Sequence, residues 1–211
     1  MWDRTVSVYS GGKIFSVTGW RIGWAVGPEH LISPMTVAQS WTAFSTNRPA
    51  QVAIAEAMRK ASEEGSGQGD GNFYDTVKKV FQEKREALAQ ALKNGPFDYK
   101  ILNPEGGFFL VVDISNTVPK IPIKYFYEDG KNNDEHPVQD IRKLDDAKYT
   151  ADYAFVRWLL FEYHIACIPF FPFYDESRRK ISDMTFVRFT ICKEDKTIQD
   201  FEDRLCHKKN L

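Results

Sequence analysis

The sequence predicts an α/β fold, and three observations carry that reading. Strand-length apolar runs at residues 5–9, 22–26 and 108–114 alternate with segments of helical period. From residue 73 onward, Phe73, Val77, Phe81, Leu88 and Leu92 share one helical stripe, which Gly95-Pro96 stops. Residues 185–192 alternate strictly, placing Val187, Phe189 and Ile191 on one face of a strand and Phe186, Arg188 and Thr190 on the other.

In chain order, the first two apolar runs read as short buried strands, so Lys13 between them should sit on a loop at a strand end. Ser33-Pro34 reads as an N-cap followed by a first-turn proline, predicting a helix over residues 33–42. Asn47-Arg48-Pro49 interrupts it, and an alanine-rich helix follows over residues 50–62. Residues 63–72 are a polar, glycine-rich surface loop. The helix from residue 73 leads to a strand at 108–114, entered through the turn Pro104-Glu105-Gly106-Gly107. Residues 128–146 are too charged for core and read as an exposed insertion. A helix over 151–164, a strand over 165–168, the alternating strand and a last helix over 196–208 complete the chain. No internal repeat is visible. The expected division is a first region over residues 1–72, a connecting helix over 73–96 and a second, α+β region over 97–211.

Composition limits the function classes. The 211 residues carry 28 Lys+Arg against 29 Asp+Glu, a net charge of −1, which leaves no field to attract nucleic acid or anionic lipid. Cys167, Cys192 and Cys206 are widely spaced with no C-x-x-C pair, which favours a reducing compartment. Residues 1–10 hold Asp3 and Arg4 and do not read as a signal peptide. The most apolar window, residues 153–174, is broken by Arg157, Glu162, His164, Pro169 and Pro172, so it reads as core and not as a membrane span. The expected location is cytoplasmic, with a mitochondrial one compatible. His30, His136, His164 and His207 lack ligand spacing, and no metal is assigned.

The chemistry concentrates in Val8-Tyr9-Ser10-Gly11-Gly12-Lys13-Ile14-Phe15-Ser16-Val17-Thr18-Gly19-Trp20-Arg21-Ile22-Gly23-Trp24. Two glycines before a lysine let backbone approach a ligand closely. A lysine among apolar and aromatic neighbours can lose part of its proton affinity, as an amine nucleophile requires. Alone, the Gly-Gly-Lys turn reads more readily as a solvated lysine than as a reactive one. Ser10 and Lys13 also satisfy the S-x-x-K spacing of serine acyl-hydrolases. That mechanism wants the serine at a helix start, which Gly11-Gly12 opposes. Its further elements are absent too, since Met184 follows Ser182-Asp183 and Ile198 follows Lys196-Thr197. A phosphate-binding P-loop fails because Ile14 stands where Ser or Thr should hold magnesium.

The whole run from Met1-Trp2-Asp3-Arg4-Thr5 through Gly19-Trp20-Arg21-Ile22-Gly23-Trp24 resembles the cofactor-lysine segment of the fold type I, class I/II pyridoxal-phosphate-dependent aminotransferases. Its wording is most similar to the kynurenine aminotransferase and cysteine-S-conjugate β-lyase branch. The resemblance covers essentially the whole chain and matches the C-terminal part of the family pattern. It implies a remnant of the large α/β domain over residues 1–72 plus an α+β small domain, that is, an aspartate aminotransferase-like fold. It also implies pyridoxal 5′-phosphate as cofactor, with Lys13 as the amine that holds it and moves the substrate proton, and Ser10 and Arg21 as its phosphate ligands. Thr185-Phe186-Val187-Arg188-Phe189-Thr190 resembles the segment whose arginine clamps the substrate carboxylate, which gives Arg188 that role. Phe44 and Phe109 match pocket aromatics, although either is also compatible with plain core.

Further implications are amino-acid and 2-oxo-acid substrates and a homodimer, with no nucleic-acid or membrane partner. Transamination and β-elimination share their first steps, and both stay open, as does a truncated or non-catalytic fragment. The family's aspartate for the pyridine nitrogen, ring-stacking aromatic and glycine-rich phosphate turn should precede Lys13 and have no counterpart in residues 1–12.

Overall fold

The computed structural model describes all residues except 70, 129, 130, 179, 181, 182 and 207–211. The chain forms two compact units, Met1–Lys78 and Lys79–Leu211, with the break inside one long helix.

The first unit opens on an antiparallel ribbon of β1 (Ser7–Ser10) and β2 (Gly23–Val26), in register from Ser7 opposite Val26 to Ser10 opposite Gly23. The strands expected here are present, but they are not buried: Val8 is 74% exposed and Tyr9 50%. Part of their apolar surface is covered across the ribbon, where the Tyr9 and Trp24 rings stack at 5.7 Å. Lys13 lies not on a loop but in α1 (Gly11–Ile14), a single helical turn that follows β1 directly. Two close approaches explain why glycine is needed there. A Cβ on Gly11 would lie 3.0 Å from the Ile54 side chain, and one on Gly12 would lie 3.0 Å from the Thr18 Cα.

Helix α2 (Glu29–Thr42) starts earlier than the Ser33-Pro34 signal suggests. Pro28 takes the N-cap position in extended geometry, and its carbonyl accepts from the Leu31 and Ile32 amides, so Pro34 falls inside the helix. The sequence signal misled because a proline fits the first turn best but is tolerated where other turns hold the helix. Helix α3 (Arg48–Ala61) begins where an interruption was expected. The Asn47 side chain accepts from the Ala50 amide at 2.9 Å, so Asn47-Arg48-Pro49 is a helix start.

Helix α4 (Phe73–Asn94) crosses the break, and its C-terminal half presents Leu88 and Leu92 to the core of the second unit. Among the described residues, that unit holds one antiparallel sheet in the order β3 (Lys100–Leu102), β4 (Phe109–Asp113), β6 (Phe186–Thr190), β5 (Ile168–Pro169). Leu110 and Val112 of β4 and Val187 and Phe189 of β6 point into the core with Ala154, Phe155 and Leu159 of α5 (Ala151–Tyr163). Ile198 and Leu205 of α6 (Asp195–Cys206) join them. The opposite sheet face, carrying Phe109, Val111, Phe186, Arg188 and Thr190, is half-buried.

Three expectations shift. The strand predicted at 165–168 is displaced to β5, because His164 ends α5 in the left-handed region and Ile165 turns into the core. The segment at 128–146 is not wholly exposed: Val138 is buried and its amide donates to the Ile121 carbonyl at 2.9 Å. One apolar side chain among charges suffices to pin such a loop. The last helix is seen to Cys206, and positions 207–208 of its expected span lie outside the described residues.

Candidate active site

The ribbon end gathers three of the singled-out residues. Ser10 closes β1 and is the N-cap of α1, Lys13 follows in that turn, and Arg21 stands two residues before Gly23, the cross-strand partner of Ser10. The segment between them folds back on itself. The Gly11 amide donates to the Ile22 carbonyl at 3.1 Å, and the Thr18 hydroxyl donates to the Gly12 carbonyl at 3.3 Å. Ser16 and Arg21 take left-handed φ values of 55° and 56°, which reverse the chain at each end of the return. An arginine in that region costs of order 1–3 kcal/mol and persists only where its surroundings fix it. Here Ile22, next in sequence, is buried and the ribbon begins one residue later.

Ser10, Lys13 and Arg21 are all exposed residues, so Lys13 is not buried as an apolar setting would suggest. The objection that Gly11-Gly12 opposes a helix also fails, since Ser10 does stand at a helical start. Of the acyl-hydrolase elements, Ser182 lies outside the described residues. The donor set itself, a hydroxyl, a primary amine and a guanidinium at one ribbon end, fits a ligand that carries an aldehyde and a dianionic phosphate. Phe44 belongs to the same unit, in the turn between α2 and α3, with φ 59° and 86% exposure. It is therefore not a core phenylalanine.

Arg188 and Phe109 come together in the second unit. Arg188 lies on β6 opposite Val111 of β4 and Ile168 of β5. Its guanidinium carbon is 4.3 Å from the centre of the Phe109 ring and 4.6 Å from that of Phe173. The Arg188 Nε is buried and has no hydrogen-bond partner among the described residues. A cation lying over aromatic rings with a buried N–H that lacks a partner is suited to receive an anion.

Two residues in this region escaped the sequence reading. Phe173 lies in a short helical turn, Phe171–Phe173, after β5. The turn is held by Asp152, a fully buried carboxylate in the first turn of α5. Asp152 accepts from the Phe171 amide at 2.7 Å, from the Tyr153 amide at 2.9 Å and from the Thr150 hydroxyl at 2.5 Å. Burial pushes its pKa up from the ordinary carboxylate range, and these hydrogen bonds pull the other way. An acidic residue in a helix's first turn was a usable signal for Asp152. For Phe173 the pairing with Arg188 spans 15 positions, and no local pattern marks it.

The histidines lie apart from these residues in different ways. The His30 Nε2 is 3.0 Å from the Asp3 carbonyl, the His136 Nδ1 is 2.7 Å from Asp134, and His164 caps α5. His207 lies outside the described residues.

The chain thus carries a lysine turn at a strand end in its first unit and an arginine flanked by aromatic rings on a strand of its second. The family model "Aminotransferase class I and II" matches residues 2–205, and the chain belongs to that family, whose members depend on pyridoxal phosphate. It is 31% identical over 205 residues to a kynurenine–oxoglutarate transaminase of Dictyostelium discoideum, covering 97% of this chain and 42% of that one. The human kynurenine–oxoglutarate transaminase 3 is 30% identical over 207 residues, covering 96% and 39%. Among solved structures, an N-succinyldiaminopimelate aminotransferase of Mycobacterium tuberculosis superposes with a TM-score of 0.69 at 25% identity, covering 99% and 43%. A methionine aminotransferase of Escherichia coli gives 0.67 at 26%, covering 97% and 42%. The aspartate aminotransferase-like fold is thereby established for this chain, which spans about two fifths of the length of these relatives.

Proposed function

We propose that the protein carrying this chain is a pyridoxal-phosphate-dependent aminotransferase. It moves an amino group from an L-amino acid, with kynurenine and other aromatic or sulfur amino acids as donors, to a 2-oxo acid such as 2-oxoglutarate. The observation that carries this reading is the ribbon end, where one short return of chain sets out a hydroxyl, an amine and a guanidinium together.

In this reading Ser10 would hold the cofactor phosphate through its hydroxyl, and Arg21 would hold it through its guanidinium, which suits a dianion. Lys13 holds the cofactor through its aldehyde carbon. When bound, the cofactor supplies an electron sink for the bond broken at the donor's Cα. The Lys13 Nζ would take the proton from that Cα as general base and, as general acid, deliver it to the carbon that carried the cofactor's aldehyde. Arg188 receives the substrate α-carboxylate, which fixes the orientation of the Cα–H bond, and Phe109 flanks it. Phe44, outward-facing in this chain, lines a pocket in a homodimer. Residues 1–72 serve as the cofactor region and residues 97–211 as a small domain.

The test is an amino-transfer assay with L-kynurenine and 2-oxoglutarate, following glutamate. Lys13→Ala should lower the rate by at least about 10²–10⁴-fold, the range for loss of a positioned acid–base group. A Lys13→Ala protein as active as the parent contradicts the proposal.

A further inference from the structure

Two observations around Arg188 go beyond its assignment as the carboxylate ligand. First, its guanidinium lies over two aromatic rings, that of Phe109 from the neighbouring strand and that of Phe173 from a turn that follows β5. Second, that turn is fixed from several directions. The Phe170 amide donates to the Phe186 carbonyl at 3.1 Å, the Phe171 amide donates to buried Asp152, and the Phe171 ring meets Tyr153 edge-on at 5.4 Å. Asp152 is itself tied down, its amide donating to the Met184 carbonyl at 2.8 Å. Phe173, by contrast, is 58% exposed, so its ring contributes little to the core. An exposed phenylalanine on a turn held this firmly is explained by what lies under its face.

We propose that Phe173 is a positioning residue for Arg188: with Phe109 it holds the guanidinium against aromatic rings, so that the Nε–H, unpartnered among the described residues, stays available to an incoming carboxylate. This rests on the reading of Arg188 as the carboxylate ligand. Stacking holds a guanidinium by its faces and leaves its hydrogen-bonding edge open, whereas an ion pair would occupy that edge. The buried Arg188 Nε, without a partner among the described residues, has the same sense, because a partner carboxylate in the protein would compete with the substrate's. Phe173 acts through Arg188 and touches no reacting atom. The turn therefore sets how strongly the site discriminates a carboxylate from a neutral group of the same shape.

The experiment uses the cofactor-loaded enzyme and two isosteric probes, 3-phenylpropionate and 3-phenylpropionamide, by titration calorimetry. Phe173→Leu should weaken binding of the acid about tenfold, the size of a partly desolvated cation–π contact, and leave the amide within about twofold. Phe173→Tyr, which keeps a π face, should restore the acid affinity. In steady-state assays, Phe173→Leu should raise KM for donor and acceptor more than it lowers kcat. Equal losses for acid and amide would mean a merely structural role and would overturn the proposal, as would an unchanged acid affinity. An Arg188→Ala arm separates the two readings. If it abolishes the acid preference while Phe173→Leu does not, only the positioning role falls. If Arg188→Ala leaves the acid preference intact, the carboxylate reading falls and the positioning role with it.

Discussion

Arg188 places a permanent positive charge on the middle of a sheet, with its Nε buried and unpaired among the described residues. Leaving a buried donor unsatisfied costs about 1–3 kcal/mol, which an arriving carboxylate removes. That difference is the physical reason to expect an anion at this point. Elsewhere in the second unit, Glu128 shows the opposite case of a charge with two partners. Lys131 and Lys148 both bond Glu128 and hold its carboxyl well below the ordinary value, at about 2. Since that pKa lies below the ordinary 4.5, the interaction favours the folded chain above about pH 4.5 and is lost as pH falls toward 2. A carbon-detected titration should find Glu128 with a midpoint near 2 at low salt, moving upward in about 1 M salt as screening weakens both pairs. A midpoint near 4.5 at low salt would contradict the contacts. At this scale strict alternation placed Arg188 on the face opposite Val187 and Phe189, as found, while its carboxylate role came from the family resemblance alone. It could not mark Phe173, which meets Arg188 only after the chain has turned through β5.

Elements were legible where their signal was long and periodic. The stripe from Phe73 gave α4, and the alternation at 185–192 gave β6 and its buried face of Val187 and Phe189. Short signals failed at helix starts, and for one reason. Proline and asparagine each suit both a break and a cap, and only the neighbouring amides decide between them. Asn47 is such a case: its side chain accepts from the Ala50 amide and so begins α3. Asn47→Ala should lower the stability of the first unit by about 1 kcal/mol, read from urea unfolding, and Asn47→Asp should keep most of it. An alanine variant as stable as the parent would mean that the cap contributes nothing. The ribbon strands teach a different point. Their apolar sequence predicted burial, yet Val8 and Tyr9 are exposed, because apolar composition records what a strand can bury and not what covers it.

For the molecule as a whole, family membership rests on a match over residues 2–205, whereas the chain spans about two fifths of the relatives' length. The activity proposed here therefore belongs to the protein that carries this chain. Its exposed aromatic residues Trp41 and Phe44, 87% and 86% accessible, are the feature of the first unit for which composition alone gave no warning. No described helix is long and apolar enough to cross a membrane. The central claim is narrower than the fold: one lysine, in a helical turn at the end of a two-stranded ribbon, holds the cofactor. Incubating the protein with pyridoxal phosphate, reducing with borohydride and mapping the labelled peptide tests it directly. The account predicts the reduced cofactor on Lys13, within the peptide that also carries Ser10-Gly11-Gly12. Stoichiometric label on any other lysine, with Lys13 unmodified, would contradict it.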